Sequence, residues 1–399
     1  MKILTLFIDM LRTDFLSSYN STVKKSEIDL FMEEMKGTLF TNCFTNGPDT
    51  PRSLSSFWSG ISCLNNGCKR RTQYPRYFLR TESFLSRLQE HKFKLCFSTI
   101  PSRLQTGILP PDAPHQANDA IKYDLDTFLK NFELGLNSFV FIDICDSHWA
   151  INDWGANYLG VRKGHEEVSR TLQFIRDRID IEAFDIVILF SDHGHLIDGE
   201  GGENLFDNIL QPKRSRVLMF WHRKGDESFQ TNDKLSSMTD VYPTLLNACG
   251  IPYNEEIIDG IDLFDKKEHE YICMEDSFDF APLINLNLDI WGVITKDSLY
   301  CTMLKREKLF WGDPERDYRK IIESECPDFV QYSKEQQVFD YYKTLKAPDA
   351  NRIYTNGRPR RMFRSNKLIA RIQNKLVSLL FAREKDIFLS TDERGENHA

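Results

Sequence analysis

The chain has 399 residues, of which 41% are hydrophobic and 28% are charged, a composition that excludes a disordered or low-complexity protein and is sufficient for one large domain or two. Its net charge of −8 is unevenly distributed, because residues 358–383 contain eight Arg and Lys and no Asp or Glu. The rest of the chain carries 43 basic and 59 acidic side chains, a net charge of −16, so an acidic body precedes a basic tail.

The first apolar run, Ile3–Ile8, ends at Asp9. It is too short for the core of a signal peptide and far too short for a membrane span of about 20 residues. The nine cysteines form no CxxC pair and show no regular spacing, which is typical of reduced, mostly buried thiols rather than of a disulfide framework. We therefore expect a cytoplasmic protein.

Short apolar runs then alternate with amphipathic stretches. The runs are bounded by polar turn residues, as buried parallel strands are. The predicted strands are Ile3–Ile8, Lys94–Thr99, Phe139–Ile144, Ile186–Phe190 and Arg216–Trp221, and the predicted helices are Ser83–His91, Tyr123–Asn131, Glu166–Ile179 and Asp240–Ala248. This alternation predicts an α/β fold with a mostly parallel central sheet flanked by helices.

A less regular region begins near residue 266. It contains Tyr271–Met274 and Trp291–Leu304, which are predicted strands of a smaller antiparallel sheet. The chain therefore divides into a main α/β domain over residues 1–265, a smaller C-terminal subdomain over 266–345, and a basic amphipathic tail over 346–399.

Polar side chains lie at or just after the ends of three predicted strands, where α/β sheets bind their ligands. These residues are Asp9, Asp143, Asp146, His148, Asp192 and His193. Asp9, Asp192 and His193 together suit one Mg²⁺, Mn²⁺, Ca²⁺ or Zn²⁺ ion with positions open for substrate. In the alternative interpretation, Asp192 caps a turn and the imidazole of His193 bonds a backbone carbonyl.

The segment Asn46–Gly60 combines a turn with the start of a helix. Thr50 and Pro51 fit the N-cap and the first position of that helix. A hydroxyl at a helix N-terminus that also touches a divalent cation has a lowered pKa and can attack an anionic phosphorus or sulfur centre. The sequence allows both roles for Thr50.

Five blocks, taken in order, resemble the alkaline phosphatase superfamily and in particular its sulfatase-like branch. They are Asp9, Thr50–Gly60, Phe139–His148, Ser191–Gly194 and Thr239–Pro252, and the last is continued by Asp259–Leu263. The resemblance covers roughly residues 1–265, and the block Thr239–Pro252 is its most specific part. It implies a sulfatase-like catalytic domain over residues 1–265.

The resemblance also implies roles for individual side chains. One divalent metal ion, Mn²⁺, Zn²⁺, Mg²⁺ or Ca²⁺, would be held by Asp9, Asp192 and His193, with Thr50 as nucleophile and further ligand. His148 resembles the histidine that binds the phosphate or sulfate group, and a structural histidine at a loop start is the alternative.

Two further side chains are candidates for catalysis. Arg52, two residues after Thr50, could bind an oxyanion through its planar fork, or it could be a solvated helix residue. His195 could protonate the leaving alcohol or replace a lost metal ligand, and an exposed loop histidine is the alternative.

Departures from the sulfatase pattern bear on the reaction. Sulfatases carry, at the position of Thr50, a Cys or Ser that is oxidised to formylglycine. Threonine cannot form that aldehyde, because its Cβ bears a methyl group. Met10 replaces a second acid, Gly201 replaces a downstream histidine, and the family's charge-binding lysine has no clear equivalent. We therefore expect hydrolysis or transfer of a phosphate mono- or diester through Thr50.

Two alternatives remain open for the function. One is a sulfuric ester hydrolase that works without formylglycine, and the other is a catalytically degenerate protein that binds glycan or membrane. For all of these functions the expected partner is an anionic ester. A glycan ester or a lipid-linked intermediate would be such a partner.

The segment 358–383 predicts an amphipathic helix with a basic flank, in which Leu368, Ile372 and Leu376 keep helical spacing. Such a helix suits an anionic membrane surface and would make the protein peripheral at the inner face of the membrane. Docking on the acidic body is the alternative. We expect no nucleic acid partner, because basic residues confined to one terminal helix give a small electrostatic footprint.

Overall fold

The structure is a computed structural model that describes residues 1–66, 68, 83–99, 124–197, 200, 210–281, 286–303 and 306–325. The chain forms two compact units. The first consists of Met1–Glu200, Leu210–Glu275 and Ile294–Asp297, and the second of Gly201–Ile209, Asp276–Val293 and Ser298–Ala399. The predicted tail, including residues 358–383, lies outside the described residues. The predicted boundaries after residues 265 and 345 stay predictions.

Among the described residues, a seven-stranded sheet forms the centre of the first unit. The strands of this unit are β1 (Lys2–Ile8), β2 (Gly37–Phe40), β3 (Cys43–Phe44), β4 (Lys94–Ser98), β5 (Ser138–Ile144), β6 (Ile186–Ser191), β7 (Met219–Arg223), β8 (Phe229–Asn232) and β9 (Ser236–Ser237). Their order across the sheet is β4-β5-β1-β6-β7-β2-β8, and β3 pairs with β9 separately. Strands β4, β5, β1 and β6 run parallel, whereas β7 is antiparallel to β6 and β2. The predicted α/β fold with a mostly parallel central sheet is confirmed.

The register of the central strands positions the candidate site. Strands β1, β5 and β6 are buried along nearly their whole length, which explains their continuous apolar sequences. Ile8 pairs with Ile144 of β5 and with Ser191 of β6. Asp9 directly follows β1, and Asp192 directly follows β6. Both aspartates therefore leave the sheet at the same edge.

Helices surround this sheet. They are α1 (Glu27–Met35), α2 (Thr50–Ser59), α3 (Cys63–Asn66), α4 (Phe84–Glu90), α5 (Leu125–Asn131), α6 (Asp146–Trp154), α7 (Tyr158–Arg176), α8 (Pro212–Ser215) and α9 (Val241–Cys249), with 3-10 turns at Thr13–Phe15, Ile181–Ala183, Met238–Asp240 and Glu255–Ile257. The predicted helix Glu166–Ile179 begins earlier, at Tyr158, because the side chain of Asn157 caps it. The predicted strand Arg216–Trp221 is displaced to Met219–Arg223.

Two apolar clusters, one dominated by aromatic rings, bury the two faces of the sheet. In one cluster the ring of Phe57 on α2 stacks on Phe190 of β6, with centroids 4.3 Å apart and an angle of 6° between planes. Phe190 also stacks on Phe7 of β1. Each such aromatic pair adds about 1 kcal/mol to the burial energy. This stacking packs α2, whose first residue is Thr50, against β1 and β6.

A separate four-stranded antiparallel sheet consists mostly of described residues of the second unit, whereas residues 272–275 and Ile294 of its strands belong to the first unit. Its strands are β10 (Ile272–Ala281), β11 (Leu286–Ile294), β12 (Leu299–Met303) and β13 (Arg306–Trp311), in that order across the sheet, and the helix α10 (Tyr318–Glu325) follows. The predicted strand Tyr271–Met274 is the start of β10. The predicted strand Trp291–Leu304 is instead the end of β11, a turn and then β12. None of the helices in the described ranges combines the length and hydropathy that a membrane crossing requires.

Candidate active site

Two aspartates and one histidine converge where β1 and β6 end. One ligand atom from each of Asp9, Asp192 and His193 lies within 4.8 Å of the others. Asp9 and Asp192 are almost completely buried, and the His193 side chain is 9% exposed. Carboxylate and imidazole are ligands for divalent ions. Among the described residues, this cluster is the candidate metal centre, as the sequence predicted.

Hydrogen bonds commit one oxygen of each carboxylate. Asp192 Oδ1 accepts the backbone N–H groups of Met10 at 2.9 Å and of His193 at 2.8 Å. Asp9 Oδ2 lies 2.9 Å from His148 Nδ1. The remaining oxygens, Asp192 Oδ2 and Asp9 Oδ1, lie 3.4 Å and 4.0 Å from His193 Nε2. Each carboxylate therefore turns a single oxygen toward the centre of the cluster.

The imidazole of His193 is held in the form that binds metals. Its Nδ1 lies 2.8 Å from the carbonyl of Gly194, which makes Nδ1 the N–H donor and leaves a lone pair on Nε2. Burial lowers the pKa of His193 to about 4, so the ring is neutral at pH 7. Gly194 is required by the tight turn here, because a Cβ on it would lie 2.2 Å from the carbonyl oxygen of Lys213.

The hydroxyl of Thr50 lies against this cluster. Its Oγ1 is 3.4 Å from Asp9 Oδ1 and 3.4 Å from His193 Nε2. The predicted capping role of Thr50 is wrong, because Asp49 caps α2 by accepting the N–H of Arg52 at 3.1 Å. Thr50 is the first helical residue, so its hydroxyl is available to the metal centre.

A second hydrogen bond ties α2 to the strand end. Ser53, completely buried, donates from Oγ to the carbonyl of Asp192 at 2.8 Å. One turn of helix therefore places Thr50 beside the ligand atoms and Ser53 on the backbone that carries one of them.

Arg52 is buried rather than solvated. Its Nε and Nη2 donate to Asp49 Oδ2 at 2.9 Å and 2.5 Å, and Nη1 donates to the carbonyl of Glu275 at 3.4 Å. The interpretation of Arg52 as a solvated helix residue is therefore wrong. One edge of its guanidinium therefore holds Asp49, the residue just before Thr50, in place.

The two candidate histidines flank the cluster. His148, on α6, contacts Asp9 through Nδ1, and its side chain remains 41% exposed. His195 is half-buried, and its carbonyl accepts Arg12 Nη1 at 2.7 Å. Burial lowers the pKa of His195 to about 4, and the positive charge of Arg214 acts in the same direction.

Arg214 lies near the cluster although it belongs to no motif of the sequence. Its Nη2 donates to the carbonyl of Pro48 at 3.0 Å, at the turn before α2, and its charge lowers the pKa of both His193 and His195. Because β7 runs antiparallel to β6, residues that precede β7 lie at the same edge as residues that follow β6. If β7 ran parallel to β6, Arg214 would lie at the opposite edge of the sheet. The position of Arg214 could therefore not be predicted without the direction of β7.

Arg12 organises the loop that follows His193. Its buried guanidinium contacts Asp14 and donates to both carboxylate oxygens of Glu200, at 2.7 Å and 2.9 Å. Glu200 also accepts Lys213 Nζ at 2.8 Å. Burial raises the pKa of Glu200, but the hydrogen bonds from Arg12 and Lys213 outweigh it and lower the value to about 2. The charged network therefore holds Glu200 between Arg12 and Lys213.

Other polar groups near the strand ends do not join the cluster. Asp143 accepts Thr99 Oγ1 at 2.9 Å and Cys145 Sγ at 3.2 Å, which accounts for both its oxygens. Burial raises the pKa of Asp146, which accepts Thr171 Oγ1. None of the cysteines in the described ranges forms a disulfide, and nearly all of them are buried.

No family model matches the chain. The uncharacterized sulfatase YdeN of Escherichia coli (strain K12) is 25% identical in an alignment of 257 residues that covers 61% of this chain and 38% of that protein. The chain thus spans less than two fifths of the length of this curated relative.

Solved structures give the wider match. BT1596, a 2-O GAG sulfatase, has a TM-score of 0.59 at 15% identity over 86% of this chain and 94% of its own. The phosphonate monoester hydrolase of Agrobacterium radiobacter has a TM-score of 0.57 at 12% identity over 84% and 96%. A protein in the alkaline phosphatase superfamily from Vibrio parahaemolyticus has a TM-score of 0.56 at 15% identity over 84% and 87%. The resemblance found in the sequence is confirmed for the fold: this chain has the fold of the sulfatases and phosphonate monoester hydrolases of the alkaline phosphatase superfamily.

Proposed function

We propose that the protein is a metal-dependent hydrolase or transferase of phosphate esters, with Thr50 as its nucleophile. The observation that carries this proposal is the position of Thr50 Oγ1, 3.4 Å from both Asp9 Oδ1 and His193 Nε2. A nucleophilic hydroxyl needs a neighbour that lowers its pKa, and a buried metal centre is such a neighbour.

The residues present fit one divalent cation. Asp9 and Asp192 supply two negative charges in a buried site, and His193 is neutral with Nε2 available. Two buried carboxylates this close need a cation for charge balance. A divalent ion bound there supplies positive charge to both the attacking hydroxyl and the ester oxygens.

Thr50 is well placed for attack. As the first residue of the ten-residue helix α2, it lies at the positive end of the helix dipole, which favours an anionic ester at the same point. The Oγ1–phosphorus bond forms as the bond from phosphorus to the leaving alcohol breaks. Water or an acceptor hydroxyl then attacks the phosphothreonine, releases phosphate or the transferred product, and returns the proton to Thr50.

Neighbouring side chains take supporting roles in this scheme. His148 orients Asp9 through Nδ1 and presents its exposed edge to the ester, and Arg214 adds positive charge at the same edge. His195 is the side chain that we propose for proton transfer: because its pKa of about 4 leaves the ring neutral near pH 7, it would accept the proton that Thr50 loses and pass it to the leaving alcohol. Arg52 is better suited to positioning Thr50 than to binding an oxyanion, because its guanidinium is buried against Asp49.

Specificity for phosphate rests on the chemistry of threonine. A methyl group on Cβ prevents formation of formylglycine, the group that the sulfatase pattern requires. The fold also occurs in a GAG sulfatase, so hydrolysis of a sulfate ester without formylglycine is the second candidate. An anionic saccharide ester is the substrate class that this comparison supports. The third alternative, a degenerate binder, predicts ligand binding without turnover.

Chromogenic phosphate monoester, phosphate diester, phosphonate monoester and sulfate ester substrates test the proposal on the metal-loaded full chain. We expect turnover of a phosphorus ester, retained at a reduced rate in Thr50→Ser and lost in Thr50→Val, which matches threonine in shape. A fully active Thr50→Val enzyme would contradict the role of Thr50. Preference for the sulfate ester would favour the second candidate, and binding without turnover of any ester would favour the third.

A further inference from the structure

A groove between α1 and α7 lies outside the candidate active site. Its volume is about 1000 Å³, which is in the range of small-molecule pockets. It is lined by both ends of α7, Tyr158 and Arg176, which lie about 27 Å apart along the helix axis. None of its lining residues belongs to the candidate metal centre. The groove therefore follows the whole of α7 and is separate from the site described above.

Aromatic rings form the end of the groove at the start of α7. The ring of Phe15 lies 5.3 Å from that of Tyr158 and 5.8 Å from the imidazole of His165, measured between centroids. Tyr158 is 64% exposed, so much of its ring is open to a ligand. Such rings bind another aromatic ring by offset or edge-to-face packing. This end of the groove therefore suits a ligand that carries an aromatic ring.

His165 is a buried polar side chain that lines the same end of the groove. It is 7% exposed, and neither of its ring nitrogens forms a hydrogen bond of normal distance and angle with a described residue. Burial lowers its pKa to about 4, although Asp14, Asp29 and the backbone of Arg12 favour the charged form. The neutral ring offers one N–H donor and one lone pair. Because buried polar groups are seldom left unpaired, this imidazole points to a ligand as its partner.

Basic side chains supply positive charge to the rim of the groove. Lys24 is exposed and forms no ion pair with any described residue. Arg162 lies 3.5 Å from Glu166, whose other oxygen accepts Lys163 Nζ at 2.6 Å, so two cations share one carboxylate. In all, five Lys or Arg and three Glu side chains line the groove. In a chain with a net charge of −8, this local excess of positive charge favours an anionic ligand.

We propose that the end of the groove at Phe15, Tyr158 and His165 binds a small aromatic anion. The aromatic part of the ligand packs against Phe15 and Tyr158, and its negative group pairs with Lys24 and Arg162. A polar atom of the ligand forms the hydrogen bond that His165 lacks. The inference is independent of the proposed function, because the groove contains no residue assigned to catalysis or to the metal ion.

Naphthoate is the probe, and its binding to the full chain is measured by titration calorimetry. A chelator is present, so that the carboxylate does not bind through a metal ion. Naphthol keeps the rings without the charge, and decalin carboxylate keeps the charge without the aromatic rings. We expect naphthoate to bind at least about 10-fold more tightly than either of them. Equal binding of naphthol or of decalin carboxylate, or no binding of naphthoate, would overturn the proposal.

Substitutions at the rim show where the probe binds. Lys24→Gln and Arg162→Gln remove exposed charges, and each should weaken naphthoate binding by about 3-fold, as expected for an exposed ion pair. Lys224→Gln is the control, since it removes an exposed lysine that does not line the groove. Equal affinities in all three variants and the wild type would mean that the probe binds elsewhere, and would refute the site.

The variant His165→Phe tests the buried imidazole, because it keeps a ring there and removes both nitrogens. We expect naphthoate to bind about 10-fold more weakly, and the urea midpoint of unfolding not to fall, since the imidazole has no hydrogen bond to lose. Unchanged affinity would refute the role of His165. If His165→Phe does not fold, the rim variants Lys24→Gln and Arg162→Gln decide the proposal.

Discussion

Ser53 Oγ donates to the carbonyl oxygen of Asp192 at 2.8 Å, which joins the first turn of α2 to the end of β6. The bond is completely buried, so the helix of the proposed nucleophile and the strand that precedes a candidate metal ligand are joined directly. The distance between Thr50 and the candidate ligands therefore depends on Ser53, to which we assign no role in catalysis or metal binding.

Replacing Ser53 by Ala is expected to lower both stability and turnover. The carbonyl of Asp192 loses its partner, which costs about 1–3 kcal/mol in the free energy of unfolding. Because Thr50 is then held less precisely, we expect kcat to fall about 10-fold or more with little change in KM. Urea unfolding and steady-state kinetics measure the two effects. Ser86→Ala is the control, since the Ser86 hydroxyl bonds within α4, and equal effects in both variants would contradict a positioning role.

Arg52 and Asp49 are expected to stabilise the protein as a pair. The Arg52 side chain is 1% exposed and that of Asp49 is 8% exposed, so removing one partner leaves a buried charge and costs about 3–5 kcal/mol. Arg52→Met and Asp49→Asn should each destabilise strongly, and the double variant should cost clearly less than their sum. Urea unfolding of all four proteins measures the coupling. Additive costs would show that the two side chains act independently. A stable Arg52→Met protein with normal KM and low kcat would favour the oxyanion role instead.

His148 is expected to have two separable functions, one for each ring nitrogen. Its Nδ1 contacts Asp9, and the amide of asparagine can reproduce that hydrogen bond without the rest of the ring. His148→Asn should therefore keep metal affinity within about 3-fold and lose about 10²-fold in kcat/KM, a loss typical of one electrostatic group at the reacting centre. His148→Ala should lose metal affinity by about 10-fold or more as well. Calorimetry and ester kinetics separate the two effects, and wild-type turnover by His148→Asn would contradict a role for the exposed nitrogen.

The ion pair between His269 and Asp240 is expected to make stability depend on pH. Burial lowers the pKa of His269, but the Asp240 carboxylate at 2.7 Å outweighs this and raises the pKa above its ordinary value of 6.5. Lys234 lowers and Asp259 raises the same pKa to lesser extents. Because the folded pKa is the higher one, the contribution is complete below about pH 6.5. It is lost as the pH rises through the folded value.

Unfolding free energies between pH 5.5 and 9, compared for wild type and His269→Gln, test this dependence; the range brackets the ordinary histidine pKa of about 6.5. We expect the difference between the two proteins to shrink as the pH rises. A difference that stays constant, or that grows with pH, would show that His269 is neutral in the folded protein.

The order of apolar runs and polar strand ends predicted much of the fold and of the site. Buried parallel strands need continuous apolar sequence, so β1, β5 and β6 could be recognised without a structure. The residues that follow β1 and β6 were recognised with them, because parallel strands end at one edge. The candidate metal ligands Asp9, Asp192 and His193 could therefore be predicted from the sequence, and the structure brings them together.

Details that depend on helix starts were harder to predict. Asp49 and Thr50 both suit an N-cap by residue type, and the structure gives that role to Asp49, whose carboxylate accepts the N–H of Arg52. Helix α7 also begins earlier than predicted. Gly160 and Gly164 weaken the helical pattern of its first turns, so the sequence did not indicate this start. Gly164 permits close packing, since a Cβ there would lie 3.0 Å from the Cα of Ser147.

The sequence by itself determined the α/β class, and it predicted the residue types of the candidate metal ligands and the exclusion of formylglycine, because these depend on periodicity and on the chemistry of single side chains. Tertiary structure decided the direction of β7, which brings Arg214 to the site, and the burial of Arg52 against Asp49. It also decided which atom of each ligand faces the centre. The physical reason is that strand direction and hydrogen-bond partners depend on residues far apart in the chain, such as Met10 and Asp192, and no local pattern records those contacts.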